Sequence, residues 1–298
     1  MDLQRVEPFP GAACCLTLFG LTRRETNVTR FTWYAPKRLP SRRIGAHLRR
    51  GAPWLPFLSR CVSLECFLIG KMNAFGLWAF FGTLALSLWA VWRVKSAYSK
   101  YSQVPNSSGL SGAEVAAHIL QRAGIGDVQI VESSNLLTDH YDPINRRLVL
   151  SPENFEGRSA AAMGVAAHEC GHALQHQQAY APLTWRMAST GLVGFASQAV
   201  YILPIIGWFT HLLAPMLILL CFGWAIIMLF NLVTLPVEFD ASARAKRVLT
   251  EMGLMRTQEE TRAVSGVLDA AAFTYVAAFI TSLSYLLYYF LIMSGRRN

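Results

Sequence analysis

Charge is what this sequence has least of. Charged residues are 15% of the 298-residue chain and hydrophobic residues 53%, whereas soluble domains carry about 25% charged residues. So little charge cannot solvate an ordinary globular surface, and the composition reads as that of a membrane protein. Cysteine is sparse too. Four of the six, Cys14, Cys15, Cys61 and Cys66, precede Met72, leaving Cys170 in a polar motif and Cys221 in an apolar run. Two such scattered thiols exclude a disulfide framework and read as small buried residues. A general basic surface is also missing, despite a formal net charge of +9. Residues 1–71 hold 12 Lys/Arg against 4 Asp/Glu, and the rest of the chain holds 15 against 14. Most of the chain therefore lacks the electrostatic footprint of a nucleic-acid binder, and no nucleic-acid partner is expected.

The basic residues 1–71 also lack sustained periodicity and a secretory signal, since the apolar run Gly11 to Gly20 is short and weakly flanked. Three readings compete: a basic arm that binds nucleic acid, which is the least favoured, a disordered or targeting extension, and a stretch upstream of the true initiation codon. Met72 directly precedes a complete apolar span, which favours the last.

Four stretches are uncharged and long enough to cross a bilayer: 74–92, 191–209, 212–233 and 272–293. The middle two share an uncharged block, 187–237, that suits two helices and a tight turn, with Pro204, Gly207 and Pro215 marking where the chain can reverse. The expected division is an N-terminal extension (1–71), span 1 (72–92), a polar domain (93–186), a two-span hairpin (187–237), a polar helical segment (238–271) and span 4 with the C-terminus (272–298). Within the polar domain, Ser111 and Glu114 form a capping box for a helix reaching about Arg122. Residues 128–131 and 147–150 read as strands, with Asp142-Pro143-Ile144-Asn145 as a turn between them. Ser159 caps a helix from Ala160 to about His176.

That last helix carries His168-Glu169-Cys170-Gly171-His172, an H-E-x-x-H. Residues four apart on a helix lie about 40° apart on one face, so both imidazoles reach one ion at about 2.0–2.1 Å. Zinc is the ion this pair suits, one per chain. Glu169 falls one position further round, beside a zinc-activated water, where its carboxylate serves as the general base.

A catalytic zinc site needs a third protein ligand and an open position. The metzincin extension is missing, because Gln175 and Gln178 stand where its further residues fall. His176 shares the face, but three histidines on one straight helix spread over about 12 Å. Glu238 is the better candidate, since two crossings return the chain to the side of the histidines, and Asp240 is its rival.

The segments V-A-A-H-E-C-G-H-A-L-Q, R-R-L-V-L-S and L-P-V-E-F-D-A-S together resemble the YugP-like family of membrane zinc metallopeptidases and, more distantly, the HtpX-like gluzincins. The resemblance covers Met72 to the C-terminus and none of residues 1–71. It implies a glutamate ligand in an E-x-x-A-[Asp] pattern, which Glu238 and Ala241 match while Ser242 stands in place of the aspartate. It implies a mainly α membrane protein: four transmembrane helices with a small α+β zincin-like catalytic domain at the membrane surface. In zincins an edge strand before the zinc helix binds extended substrate, a role that falls here on Arg147 to Ser151. His140, Tyr141 and Tyr275 are eligible oxyanion donors.

The expected function is a membrane-embedded zinc endopeptidase acting on peptides or proteins, membrane proteins included. The alternative is a non-catalytic zinc-binding scaffold or transporter, which needs no general base. The oligomeric state is not legible. An intramembrane protease is disfavoured because Glu156, Arg158, Gln175 and Gln178 bound the zinc helix too closely for it to cross. Arg93, Lys95, Lys100, Arg186, Arg244, Lys246 and Arg247 flank the spans on the zinc side, against Arg296 and Arg297 opposite when the chain starts at Met72, whereas the 12 Lys/Arg of residues 1–71 would reverse the pull at the first span. A bacterial-type plasma membrane with the site facing the cytoplasm follows. Native protein in intact cells reads both expectations: an intact mass starting at Met72, and a 93–186 segment spared by external protease. A mass that includes 1–71 overturns the first, and cleavage from outside overturns the second.

Overall fold

The computed structural model describes residues 74–133 and 139–295. The expectations for residues 1–71 and the charges Arg296 and Arg297 lie outside them.

Helix α1 spans Ala74–Tyr101, and a short loop leads to α2, Gly112–Arg122. The capping box at the start of α2 is reciprocal: the Glu114 carboxylate accepts from the Ser111 amide at 2.6 Å and the Ser111 hydroxyl from the Glu114 amide at 3.3 Å. Three strands follow, β1 (Gln129–Glu132), β2 (His140–Asp142) and β3 (Arg147–Leu150). The sheet order is β1-β3-β2, with β1 parallel and β2 antiparallel to β3. The turn expected around Asp142 therefore joins β2 to β3, not the first strand to the last. Asp142 accepts from the Ile144 and Asn145 amides there, and Arg146 takes a φ of 49°. The expectation that Arg147–Ser151 is a free edge is corrected, because β3 is paired on both sides. Its burial explains why: Leu148 and Leu150 are fully enclosed, so the strand with the strongest apolar alternation takes the centre. The edge strand on that side is β2.

Short α3 (Pro152–Phe155) precedes α4 (Ala160–Gln177), whose first turn is capped by the Ser159 hydroxyl accepting from the Ala162 amide. Then come α5 (Ala181–Thr210), α6 (Leu213–Glu251) and α7 (Gln258–Gly295). Among the described residues α1, α5, α6 and α7 are long and apolar enough to cross a membrane. Their principal packing runs α5 to α6 to α7 to α1, a row of four. They expose aromatics such as Phe195, Phe209 and Phe81, a surface suited to lipid rather than water. The reversal between α5 and α6 falls at His211 and Leu212. Pro204 is accommodated inside α5, and Pro215 sits in the first turn of α6, where a missing amide proton costs nothing.

The spans do not stop where their apolar runs stop. Helix α6 continues through Glu238 to Glu251 without a break, and α7 is already helical at Gln258. The reason is a shared core. Ala245 and Leu249 of α6 and Ala263, Val264 and Leu268 of α7 pack with Val115, Ile119, Leu150, Met163 and Cys170 of the polar domain. Helix α4 lies against α6 and α7, and Gly171 sets how closely. A Cβ there would lie 2.5 Å from the Ala241 carbonyl oxygen and 3.1 Å from the Ala241 Cα. The glycine inside the histidine motif thus admits backbone-to-backbone contact between α4 and α6. Gly171→Ala is expected to push the helices apart and destabilise the fold by about 1–3 kcal/mol, read as a lower thermal unfolding midpoint in detergent. An unchanged midpoint overturns the packing role.

Candidate metal centre

Helix α4 presents His168 and His172 one turn apart, their ring centroids separated by 4.8 Å at an interplanar angle of 81°. Helix α6 brings Glu238 to the same point. Its Oε2 lies 3.3 Å from His168 Nε2 and 3.6 Å from His172 Nε2. One ligand atom from each of the three residues lies within 4.8 Å of the others. The Glu238 side chain is only 2% exposed, and those of the two histidines 14% and 11%.

The opposite faces of the imidazoles show what these atoms are prepared for. Gln175, fully buried, directs its amide nitrogen at the Val237 carbonyl and the Asp240 carboxylate, both at 2.8 Å. Both amide protons are used on acceptors, so its Oε1, 3.0 Å from His172 Nδ1, accepts a hydrogen bond from that N–H. His172 Nε2 is then a lone pair aimed at a carboxylate oxygen in the neutral ring. The Ser242 hydroxyl meets His168 Nδ1 at 3.2 Å and does the same in the tautomer that leaves His168 Nε2 bare. Convergent lone pairs repel unless a cation or proton lies among them. Ligands bonded tetrahedrally to zinc at about 2.0–2.1 Å stand about 3.3–3.4 Å apart; the 3.3 Å separation of Glu238 from His168 equals that edge and the 3.6 Å separation from His172 is slightly longer. The donor set, two imidazoles and one carboxylate, therefore fits zinc with a fourth position left for chemistry.

Glu169 sits at the next position round α4 and is buried. Burial pushes its carboxyl up to about 7, with the nearby Asp139 and Glu238 carboxylates adding to the rise and His168 and the Tyr141 backbone N–H opposing it. That amide belongs to β2, so the edge strand and the carboxylate meet. Cys170 faces the other way, its thiol toward the Ala116 carbonyl at 3.8 Å, and burial pushes it up as well. It is a core residue.

Two further groups reach Glu238. Arg186 at the start of α5 holds Oε1 through Nη1 at 2.7 Å, which leaves Oε2 for the histidines. Tyr275 of α7 sets its hydroxyl against the same carboxylate, with Arg186 and Glu169 close by. The other proposed donors are placed differently. Tyr141 directs its hydroxyl to His176 Nδ1 at 2.9 Å, and His140 is exposed on β2. Asp240 is turned away from the histidines, bound by Gln175 and by Arg244 Nε at 2.5 Å. Arg186, Gln175 and Ser242 are the contributors that sequence reasoning left unassigned. The available signal was Arg186 itself, the charge that opens the long uncharged block.

Ser242→Ala is expected to weaken zinc binding about tenfold, and Gln175→Leu by up to about a hundredfold, because each removes the group that is hydrogen-bonded to the far nitrogen of an imidazole and orients its ring. Chelator competition on the purified protein measures both, and unaltered affinity in the two variants overturns this orientation role.

Comparison with known proteins agrees with the geometry. A family profile described as "Putative neutral zinc metallopeptidase" matches residues 77–294. The chain is 45% identical over 216 residues to "Putative membrane protease YugP" of Bacillus subtilis (strain 168), an alignment covering 72% of this chain and 95% of that protein. No solved structure matches. With four apolar helices of spanning length and this extent of likeness, the chain is an integral membrane protein that belongs to the neutral zinc metallopeptidase family.

Proposed function

We propose that the protein is a gluzincin-type zinc endopeptidase with a zincin-like catalytic domain, residues 93–186, at the membrane surface. His168, His172 and Glu238 hold one zinc ion per chain. The observation that carries this reading is the convergence of three lone-pair atoms from two helices, one of them fixed as a lone pair by Gln175. When bound, zinc supplies Lewis acidity, polarising the scissile carbonyl and acidifying a neighbouring water.

The protein's own groups supply the rest. Glu169 takes the proton of the attacking water on its carboxylate and returns it to the leaving amide nitrogen. The Tyr141 amide holds that carboxylate in place. Arg186 keeps one Glu238 oxygen engaged, so the ligand binds through the other and a position stays open for substrate. Tyr275, whose hydroxyl already lies at this carboxylate, is the best-placed donor for the oxyanion that develops on the carbonyl. The β2 edge, next to Glu169, offers main-chain groups to an extended peptide. The substrate is thus a peptide or protein segment in extended form, and basic residues beside the spans orient the site to the cytoplasm.

Glu169→Gln preserves shape and removes the base. It is expected to abolish peptide hydrolysis, by about a hundredfold or more, with zinc content unchanged by metal analysis. Retained hydrolysis overturns the assignment of the base. If the wild type also binds zinc and cleaves nothing, the scaffold or transporter reading takes its place.

A further inference from the structure

Three of the residues at the site are carried by the spans themselves, and their positions along those helices act as a depth gauge. Glu238 stands 25 residues beyond Leu213, where α6 begins at the hairpin turn, a rise of about 38 Å. Arg186 stands 24 residues before the end of α5 at the same turn, about 36 Å. Tyr275 stands 20 residues before the end of α7, about 30 Å. The hydrocarbon layer of a bilayer is about 30 Å thick. With the hairpin turn and the end of α7 set at the far boundary of that layer, all three side chains lie between its near boundary and roughly 10 Å beyond it, in the headgroup layer.

Side chains at the same level agree. Trp185 and Phe239, chain neighbours of Arg186 and Glu238, are 69% and 51% exposed, as aromatic anchors at a membrane interface are. Arg93, the first charge after the first apolar run, lies over the rings of Trp89 and Phe273 at 5.5 and 5.1 Å, with Phe273 two residues from Tyr275. The change from apolar to charged surface on α1 and α7 thus coincides with the level of the site.

We propose that the substrates are integral membrane proteins, cut in the short polar stretch where the chain leaves the bilayer, neither inside a span nor far from one. This rests on the endopeptidase reading above and adds a position to it. An extended chain advances about 3.3–3.6 Å per residue, so a site about 10 Å or less above the hydrocarbon meets a peptide bond within roughly the first three residues past the end of a span. A soluble protein must instead push its own surface among the headgroups. A substrate confined to the same membrane arrives at that depth already, at a raised effective concentration.

The test uses the full chain, loaded with zinc and reconstituted in vesicles of phosphatidylcholine and phosphatidylglycerol. The substrate is a single-span protein inserted in both orientations, followed by a long unstructured cassette of randomised sequence, and cut sites are mapped by mass spectrometry. Cuts are expected to crowd into about the first three residues after the span. The same cassette supplied as a soluble peptide should be cut about tenfold more slowly or worse. Lengthening the polar linker before the cassette should leave the cut position, counted from the span, unchanged. Cuts spread evenly along the cassette, or a soluble peptide cleaved as fast, overturn the depth inference while the endopeptidase reading stands, provided Glu169→Gln is inactive. No cleavage at all, or equal cleavage by Glu169→Gln, overturns both.

Discussion

A carboxylate buried to 2% exposure at the end of a membrane span is the constraint on which the rest of this structure turns. An unpaired charge in such a position costs several kcal/mol, so the surroundings of Glu238 have to answer it. They do so from three other helices, so that four meet at this point. Arg186 comes from α5, His168 and His172 from α4, Tyr275 from α7, and the residue itself from α6. The two imidazoles are in turn held: Gln175 fixes His172, and the Ser242 hydroxyl meets His168 Nδ1. The folding problem posed by one buried charge and the binding problem posed by a divalent cation have the same solution here.

This also explains why the polar domain and the spans share a core. Were α4 part of an independently folded module, its distance to Glu238 would vary with every tilt of the spans. Packing Leu249, Val264 and Leu268 among Val115, Met163 and Cys170 removes that freedom. The clip made by Glu260 works the same way, its carboxylate taking the Arg256 and Thr257 amides at the start of α7 and the Ser107 amide from the loop after α1.

Much of this was legible in the residues alone, for identifiable reasons. The H-E-x-x-H helix declares itself because both its spacing and its Ser159 cap are local. The Ser111 and Glu114 capping box is local too, and uncharged runs of spanning length need no tertiary information. What stayed hidden depends on long-range packing. Nothing in a four-residue strand such as Arg147–Leu150 says whether neighbours pair with one side or both, so its central place in the sheet was missed, and β2 with its three residues was too short to register. The continuity of α6 across the boundary at Glu238 was obscured because composition changes there while the helix does not. Arg186 read as a boundary charge, since its pairing with a residue 52 positions away is a property of the hairpin. Ser242 read as a lost carboxylate, although a hydroxyl at that place still meets the imidazole.

The contact at Gly171 has one more consequence. Because α4 and α6 touch there through main-chain atoms, the spacing between the two histidines and Glu238 is inherited from the radius of a helix, a dimension fixed by covalent geometry. Rotamers can trim it but cannot reset it. The glycine in the motif belongs to the neighbouring helix: it is the caliper that sets the gap, and the two histidines and Glu238 are cut to the width it leaves.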